Sequence, residues 1–302
     1  MNVRKLLGAA AAACVLAACQ GLPAPAAGAG PRVDQSFYCT VAPAVPNASY
    51  VGPYAGVENV IAPLDAARDV HCADSFKAGK YPRGFVTIFG SSRIAKDNRA
   101  CDAAGKCDQT LRENDHIYAA VREFAFAWTA KHGRSFPILT GAGPGLMEAG
   151  NEGAKAAGGP SLGYTTYYDR PADPAQATAS KPYGGDAAKA FNAYVSDGLI
   201  FTSVAQREAA MVRHSAAIVV TPGGTGTEWE IYQVIETIKS RQQAAVPVYF
   251  LGERARDWKS LDERLKDLVA RRVVRADELA FLRFAATPAE LLERLAKDLA
   301  LP

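Results

Sequence analysis

The chain has 302 residues, of which 49% are hydrophobic. This is enough for a sizeable core and excludes the disordered and fibrous classes. Its 34 basic and 31 acidic side chains nearly cancel, so charge gives no reason to expect a nucleic-acid partner or a polybasic membrane surface. Its four histidines are scattered without metal-ligand spacing, and we expect no metal site.

The N-terminal residues are typical of an export signal. Arg4 and Lys5 form a short basic start, and the apolar run that follows ends in the segment Leu16–Cys19. This ending resembles a bacterial lipobox. It predicts that residues 1–18 are a signal peptide, too short to span a membrane, and that Cys19 carries lipid.

The residue after the lipobox cysteine is glutamine rather than aspartate, which favours the outer membrane. We expect a protein on the periplasmic side of the envelope of a Gram-negative bacterium, held to the membrane through its lipid anchor only. The alternative is an ordinary secretory signal, which leaves a soluble periplasmic protein.

Three segments are expected to follow the signal peptide. Residues 19–32 are rich in Pro, Ala and Gly and predict a flexible tether. Residues 33–82 have scattered Pro, Gly, Asn and aromatic residues and predict an irregular extension packed on the main domain, which covers residues 83–302.

Four cysteines remain after cleavage and lipidation, and an even number in an exported chain suggests two disulfides. Cys101 and Cys107 flank a small loop that one bond closes, which leaves Cys39 to pair with Cys72. A metal site is the less favoured alternative, because the spacing lacks close Cys-x-x-Cys pairs.

From residue 85 onward, short apolar runs alternate with stretches of helical spacing. Strands are predicted at 85–89, 137–140, 162–164, 199–201, 217–221, 246–251 and 281–285, and helices at 111–131, 145–157, 203–214, 226–241 and 258–270. A last helix is capped at Thr287, with Pro288 at its first position and Glu290 three residues beyond the cap. This alternation predicts the α/β class: one domain with a doubly wound, Rossmann-like parallel sheet flanked by helices.

Two glycine-rich turns join predicted strands to helices, where free backbone N–H groups and the helix dipole favour an anion such as phosphate. They span Thr140–Glu148 and Thr221–Glu230. One such turn is weak evidence, because any tight connection favours glycine. The second is more specific, because Thr225 and Thr227 add hydroxyls and Glu230 places a carboxylate beside the anion site. A carboxylate there suggests chemistry on a neighbouring group.

The segment from Pro222 to Glu230 matches the pattern Pro-Gly-Gly-x-Gly-Thr-x-x-Glu and is similar to the signature of the LONELY GUY (LOG) family, which is often mislabelled "lysine decarboxylase". Three further segments resemble this family in the same order: Ile88–Arg93, Gly141–Ala154, and Arg207 with Met211. The resemblance covers roughly residues 85–300.

The resemblance implies a nucleoside 5′-monophosphate phosphoribohydrolase, which cleaves the N-glycosidic bond and releases a free base and ribose 5-phosphate. Arg207 and Glu230 are then the catalytic pair. The carboxylate stabilises an oxocarbenium-like ribose or directs water, and the guanidinium pairs with phosphate or supports the carboxylate. The phosphate site is assigned to Gly223, Gly224, Thr225, Gly226 and Thr227.

Further substrate contacts are expected at the ends of the first two strands. Ser91 and Arg93 face the crevice where doubly wound sheets bind ligands, although a structural ion pair is an equal alternative for Arg93. Gly143 and Met147 are expected to shape the base or ribose pocket, with a core position as the alternative for Met147. The expected substrate is AMP or an N6-modified relative such as a cytokinin ribotide, with no metal or organic cofactor.

The resemblance also implies a homodimer, and the apolar residues Ile231, Val234 and Ile238 either serve that interface or pack on the sheet. The sequence departs from the family at Glu208, where a lysine normally follows Arg207. This departure and the export signal leave open a nucleotide-binding or sensing module without catalysis. A decarboxylase is disfavoured, because neither glycine turn carries a lysine placed to hold pyridoxal phosphate.

Overall fold

The computed structural model describes Cys39 and residues 47–53, 61–94, 115–167 and 190–302. All of these residues belong to one compact unit of the chain, Tyr38–Pro302. The predicted signal peptide, Cys19, the tether and the Cys101–Cys107 pair lie outside the described residues. Within those residues, no helix combines the length and the apolar character needed to cross a membrane.

Eight strands and seven α-helices make up the described part of the chain, together with a 3-10 helix at Ala276–Leu279. The strands are β1 (Ala48–Val51), β2 (Phe85–Phe89), β3 (Ile138–Thr140), β4 (Ser161–Thr166), β5 (Asp197–Phe201), β6 (Ser215–Val220), β7 (Val248–Leu251) and β8 (Leu282–Ala285). The helices are α1 (Pro63–Lys80), α2 (Asp115–His132), α3 (Leu146–Ala156), α4 (Val204–His214), α5 (Thr225–Lys239), α6 (Lys259–Ala270) and α7 (Pro288–Asp298).

All eight strands form one parallel sheet in the order β1-β5-β4-β3-β2-β6-β7-β8. Parallel strands require crossover connections, and helices supply them from β2 to β3, β3 to β4, β5 to β6, β6 to β7 and β7 to β8. The predicted fold class is therefore confirmed: the protein has a doubly wound, Rossmann-like α/β fold.

Two hydrophobic clusters lie on opposite faces of this sheet. Successive side chains of a strand point to opposite faces, so Phe85 and Phe89 join the cluster under α1, α4, α5 and α6, whereas Val86 and Ile88 join the cluster under α2, α3 and α7. All of β2 is buried, as expected for a central parallel strand that is covered on both faces.

The structure differs from the sequence prediction at residues 33–82, where we expected an irregular extension. β1 pairs with β5 at one end of the sheet, and α1 is an 18-residue helix that packs against α4. The prediction is wrong for these two segments because their patterns are weak. β1 has only four residues, and α1 carries few large apolar side chains and buries a charged one, Asp69.

A disulfide joins Cys39 to Cys72, with Cα atoms 5.4 Å apart. This is the pair that the cysteine count left over. Cys72 lies on the buried face of α1, so the bond fastens the chain ahead of β1 to that helix.

The last helix begins as its sequence indicates. The Thr287 hydroxyl accepts a hydrogen bond from the backbone N–H of Glu290 at 3.2 Å, and Pro288 occupies the first turn. The Glu290 carboxylate in turn accepts from the N–H of Ala286 at 2.8 Å.

Candidate active site

The candidate site lies at the carboxyl ends of β2, β3 and β6. β2 pairs with β3 on one side and with β6 on the other. The connection from β2 to β3 therefore runs toward one edge of the sheet, and the connection from β5 to β6 runs toward the other edge. In open α/β sheets, ligands bind in the crevice at such a switch point. Both glycine-rich turns open onto this crevice, because they follow β3 and β6.

The first turn, between β3 and α3, is built around two glycines. Gly145 has φ of 70°, in the left-handed region that favours glycine. A Cβ at Gly141 would lie 2.5 Å from Arg207 Nη1, so the absence of a side chain there lets the guanidinium rest on the backbone of the turn. The N–H of Leu146 donates to the carbonyl of Ser91 at 2.9 Å, which ties this turn to the loop after β2.

Asn192, which precedes β5, holds the same turn from the other side. Its backbone N–H donates to the carbonyl of Ala142 at 2.9 Å, and its Nδ2 donates to the carbonyl of Gly143 at 3.0 Å. Nδ2 also reaches Oδ1 of Asn151, a fully buried residue of α3, at 2.9 Å. These bonds fix the turn before any ligand arrives.

The second turn, between β6 and α5, is exposed from residue 223 to residue 226. Its start is anchored because the hydroxyl of Thr221 donates to the carbonyl of Phe89 at 2.8 Å. Gly224, at the N-cap position of α5, has no side chain to cap the helix, and no other described side chain is seen to do so. The first N–H groups of a helix have no partner within the helix, so those of α5 face the crevice as donors for an anion. Thr227 is buried against Gly223 and adds a hydroxyl to this surface.

Three charged side chains meet beside this turn, and we call Arg207, Glu208 and Glu230 the charge cluster. They are 4%, 2% and 8% exposed, respectively. Nη2 of Arg207 lies 3.8 Å from Oε1 of Glu230 and contacts Oε1 of Glu208 more closely. Arg207 and Glu208 come from α4, and Glu230 comes from the second turn of α5. Side chains from two different helices thus meet in one buried cluster.

The electrostatics of the charge cluster are unbalanced. Burial raises the pKa of Glu230 to about 7, although the nearby Arg207 guanidinium opposes the shift. Within the described part of the chain, Nε of Arg207 and Oε2 of Glu208 are buried without a hydrogen-bond partner. Buried polar atoms are rarely left unpaired, and two of them in one cluster mark it as a candidate functional site.

Asp69 positions the start of α4, the helix that carries Arg207. Its carboxylate accepts hydrogen bonds from the N–H of Thr202 at 2.8 Å, the hydroxyl of Thr202 at 3.1 Å and the hydroxyl of Tyr50 at 2.7 Å. Ser203 then caps α4, with its hydroxyl accepting from the N–H of Gln206 at 3.2 Å. The N-terminal strand and helix therefore help to place the charge cluster.

The remaining residues predicted for substrate binding lie around the same crevice. Ser91 is half-buried and accepts a hydrogen bond at its hydroxyl from the N–H of Arg93 at 3.1 Å. The Arg93 side chain is exposed and forms no ion pair with another described residue. Gly143 lies next to Met147, which is half-buried rather than in the core.

Other candidates do not reach this site. His214 is buried between the hydroxyl of Tyr164 and the carboxylate of Asp74, at 3.2 Å and 2.7 Å, and has a packing role. The three apolar residues considered for an interface pack in the core against the sheet: Ile231, Val234 and Ile238. The described residues contain no cluster of side chains suited to hold a metal ion.

Sequence reasoning missed three contributors to the site. The sequence shows the charge reversal at Glu208 but not that this carboxylate is buried against Arg207. Asp69 and Asn192 lie outside the glycine turns, and no local spacing connects Asp69 to the start of α4 or Asn192 to the first glycine turn. A polar residue on the buried face of α1 was the available signal for Asp69.

The described residues form an α/β protein with an exposed glycine-rich turn beside a buried charge cluster. Residues 147–295 match the family model described as "Possible lysine decarboxylase". This segment runs from α3 to α7 and contains the charge cluster. The LOG resemblance is thus supported as similarity to this family model. A search of curated proteins found no match.

Solved structures with a similar fold include two proteins that bind a cofactor. The molybdenum cofactor binding protein of the phototrophic bacterium Rippkaea orientalis has 17% identity and a TM-score of 0.46, and the alignment covers 71% of this chain and 96% of that one. The molybdenum cofactor carrier protein of Chlamydomonas reinhardtii has 16% identity and a TM-score of 0.45, with 72% and 98% covered. Neither similarity is close enough to bear on function.

Proposed function

We propose that this protein is a nucleoside 5′-monophosphate phosphoribohydrolase, which converts AMP or an N6-modified relative to the free base and ribose 5-phosphate. The observation that carries the proposal is the position of the charge cluster. A buried carboxylate and a buried guanidinium, 3.8 Å apart, lie beside an exposed helix N-terminus that is suited to phosphate. The similarity of residues 147–295 to the family model adds support.

In the proposed complex, the substrate is divided between two parts of the site. The 5′-phosphate binds to the N–H groups of the turn at residues 223–227, where the dipole of α5 favours negative charge. The ribose then lies over the charge cluster, since Glu230 is less than two helical turns from the start of α5. The base extends toward the first glycine turn and Met147.

Departure of the base leaves positive charge on the ribose ring, and Glu230 is the group that stabilises it. A carboxylate in a buried site interacts with developing charge more strongly than one in water. Water then attacks C1′ and completes the hydrolysis. Arg207 lies beside the carboxylate and partly balances its charge, and the lack of a side chain at Gly141 makes room for the guanidinium.

The test is chromatography of nucleotides incubated with the purified protein: AMP, GMP, CMP, UMP and an N6-substituted AMP. We expect free base and ribose 5-phosphate to appear in equal amounts. The Glu230→Gln variant should lose about 10³-fold in kcat, because the side chain keeps its shape but not its charge. The matched control is Glu236→Gln, an exposed glutamate of the same helix, which should keep wild-type rates. Intact nucleotides throughout, or wild-type rates in folded Glu230→Gln, would overturn the proposal.

A second candidate is a nucleotide-binding or sensing module without catalysis. The observation that favours it is the close pairing of Glu208 with Arg207, which reduces the positive charge available to a ligand. In this case, isothermal titration calorimetry should detect saturable AMP binding, and no base should appear over long incubation.

We also propose that the mature protein is a lipoprotein of the cell envelope. The lipobox-like segment ending at Cys19 and the disulfide between Cys39 and Cys72 support export to an oxidising compartment. The test is incorporation of a labelled fatty acid into the full chain. Label should appear in the wild type and be lost in Cys19→Ser, and equal labelling of both proteins would contradict the proposal.

A further inference from the structure

Glu208 is a charged side chain of the site for which the proposed reaction has no use. It is 2% exposed, its Oε1 pairs with Arg207, and its Oε2 has no hydrogen-bond partner among the described residues. A buried carboxylate that is only half-paired is costly. The role of Glu208 follows from the balance of charges in the cluster.

The cluster holds two carboxylates and one guanidinium, so it carries a net charge of −1 when both carboxylates are ionised. A low-dielectric site disfavours this state, and one bound proton removes the charge. Arg207 is in closer contact with Glu208 than with Glu230, whose Oε1 lies at 3.8 Å. The proton therefore binds to Glu230, the carboxylate that the guanidinium stabilises less.

We propose that Glu208 is a positioning residue that takes up the charge of Arg207 and so leaves Glu230 as the carboxylate of the cluster that holds and releases a proton. This inference rests on the proposed function, because it states what the proton does there. The surroundings agree: burial raises the pKa of Glu230 to about 7.

Few other charged groups act on Glu230. In the described part of the chain, Arg207 is its one ion-pair partner within 4 Å, and Glu208 acts on it through that arginine. Glu228, on the same helix, and Arg93, on the loop after β2, are both exposed to water, which screens their charges. The state of Glu230 is therefore set mainly inside the charge cluster.

The proton gives Glu230 two successive roles in one turnover. Its carboxylic acid donates a proton to a ring nitrogen of the base, and the bond between C1′ and the base breaks with its electron pair moving to the base. The resulting carboxylate faces the positively charged ribose. A water oxygen then bonds to C1′ and gives its proton to the carboxylate, which restores the acid. Nucleotide and water are consumed, and base and ribose 5-phosphate are formed.

The test is the titration of Glu230 in the full chain, followed by NMR of protein labelled with ¹³C at the glutamate side-chain carboxyl. The Glu230 signal is the one that disappears in Glu230→Gln. In the wild type it should titrate near neutral pH. In Glu208→Gln, which keeps the shape and removes the charge, Arg207 is fully available to Glu230, and the titration should move down by about one pH unit or more. Glu208→Asp keeps the charge and should stay nearer to the wild type.

The same variants give a second measurement if base release is observed. The alkaline limb of the pH–rate profile should follow Glu230, so Glu208→Gln should lose activity at pH 7 and keep it at lower pH. An unchanged Glu230 titration in folded Glu208→Gln overturns the inference. If that variant does not fold, a wild-type Glu230 that titrates at its ordinary acidic pH overturns it as well. The NMR measurement needs no substrate, so absence of base release refutes the proposed function separately.

Discussion

Two buried carboxylates of this protein, Asp69 and Glu230, have opposite surroundings. Asp69 accepts hydrogen bonds from neutral donors on β1 and at the end of β5. Glu230 has a charged neighbour, Arg207, at 3.8 Å and no hydrogen bond to another described side chain. Both groups are at most 8% exposed, so burial alone does not separate them.

The difference shows how one fold uses the same chemical group for two purposes. The Asp69 carboxylate has its acceptors satisfied by donors that cannot titrate at neutral pH, so it holds β1, α1 and α4 together. Glu230 lies in an under-satisfied cluster beside the exposed turn at residues 223–226, and perturbed groups in such clusters tend to be functional. The structure therefore assigns Asp69 to packing, and our proposals assign Glu230 to chemistry.

The largest expected effect is on the rate of base release. Glu230→Gln should lower kcat by about 10³-fold and leave the fold intact, because the amide occupies the same space without the charge. Asp69→Asn should keep a rate close to the wild type, because its amide can keep the hydrogen bonds to Tyr50 and Thr202 that position α4. The measurement is single-turnover base release with the two variants and the wild type at pH 7.

The contrast between Asp69 and Glu230 would be wrong if these two variants lost activity equally while both remained folded by circular dichroism. Asp69 would then contribute to the reaction through α4, and the division between a packing carboxylate and a reacting carboxylate would be wrong.

The next effect is on stability. Asp69→Ala leaves the donors of Tyr50 and Thr202 buried without an acceptor, and it should lower the free energy of unfolding by about 3 kcal/mol. Asp69→Asn should cost much less. Its amide can donate to the hydroxyls of Tyr50 and Thr202, which then act as acceptors, while its oxygen accepts from the Thr202 N–H. Urea unfolding at pH 7 measures both.

Glu230→Ala serves as the counterpart in that measurement. It removes a buried carboxylate that has one distant partner, so its effect on the free energy of unfolding should be small or favourable. A loss as large as that of Asp69→Ala would show that the charge cluster holds the fold together.

The sequence predicted the sheet well because its strands are apolar runs with clear boundaries. β2 is five consecutive buried residues that end at a glycine, and such a run has few alternative structures. The start of α7 was predictable for a similar reason, since Thr287 and Pro288 act locally. β1 and α1 were missed because what defines them, pairing with β5 and burial of Asp69, depends on residues far along the chain.

In the candidate site, too, local patterns were predictable and contacts between distant segments were not. Spacing within one turn pointed to Thr227 and Glu230, and both are buried beside the crevice. The contact between Arg207 and the backbone of Gly141 joins two segments that are 66 positions apart, and no local pattern contains it. The burial of Glu208 next to Arg207 is likewise a property of the folded chain.

Gly141→Ala tests whether the position of the guanidinium matters. The new Cβ would lie 2.5 Å from Arg207 Nη1 and 2.8 Å from Met147 Sδ, so both side chains must move away from the turn, and kcat should fall by about 10-fold. The matched control is Gly79→Ala in α1, where a Cβ would meet nothing within 4 Å. This control should keep wild-type kinetics, and a Gly141→Ala enzyme with the same rates would separate the placement of Arg207 from catalysis.

The smallest expected effect is in the pH dependence of stability. Burial raises the pKa of Asp69 from 3.8 to about 6 and that of Glu230 from 4.5 to about 7. Between the unfolded-state and folded-state pKa of each group, the folded state therefore binds more protons than the unfolded state, and the free energy of unfolding falls as pH rises. Between pH 6 and 7 the contribution of Asp69 is nearly complete, so the remaining fall is due mainly to Glu230.

Urea unfolding at several pH values between 5 and 8 distinguishes the two groups. Glu230→Gln should flatten the fall between pH 6 and 7, whereas Asp69→Asn should leave it in place and change the curve below pH 6. Burial lowers the pKa of His214 from 6.5 to about 4. Between these two pH values His214 makes the free energy of unfolding rise with pH, opposite to the carboxylates, but this effect is the same in all three proteins. If both variants changed the same part of the curve, the two carboxylates would share one titration, and they would belong to one coupled network rather than to two independent sites.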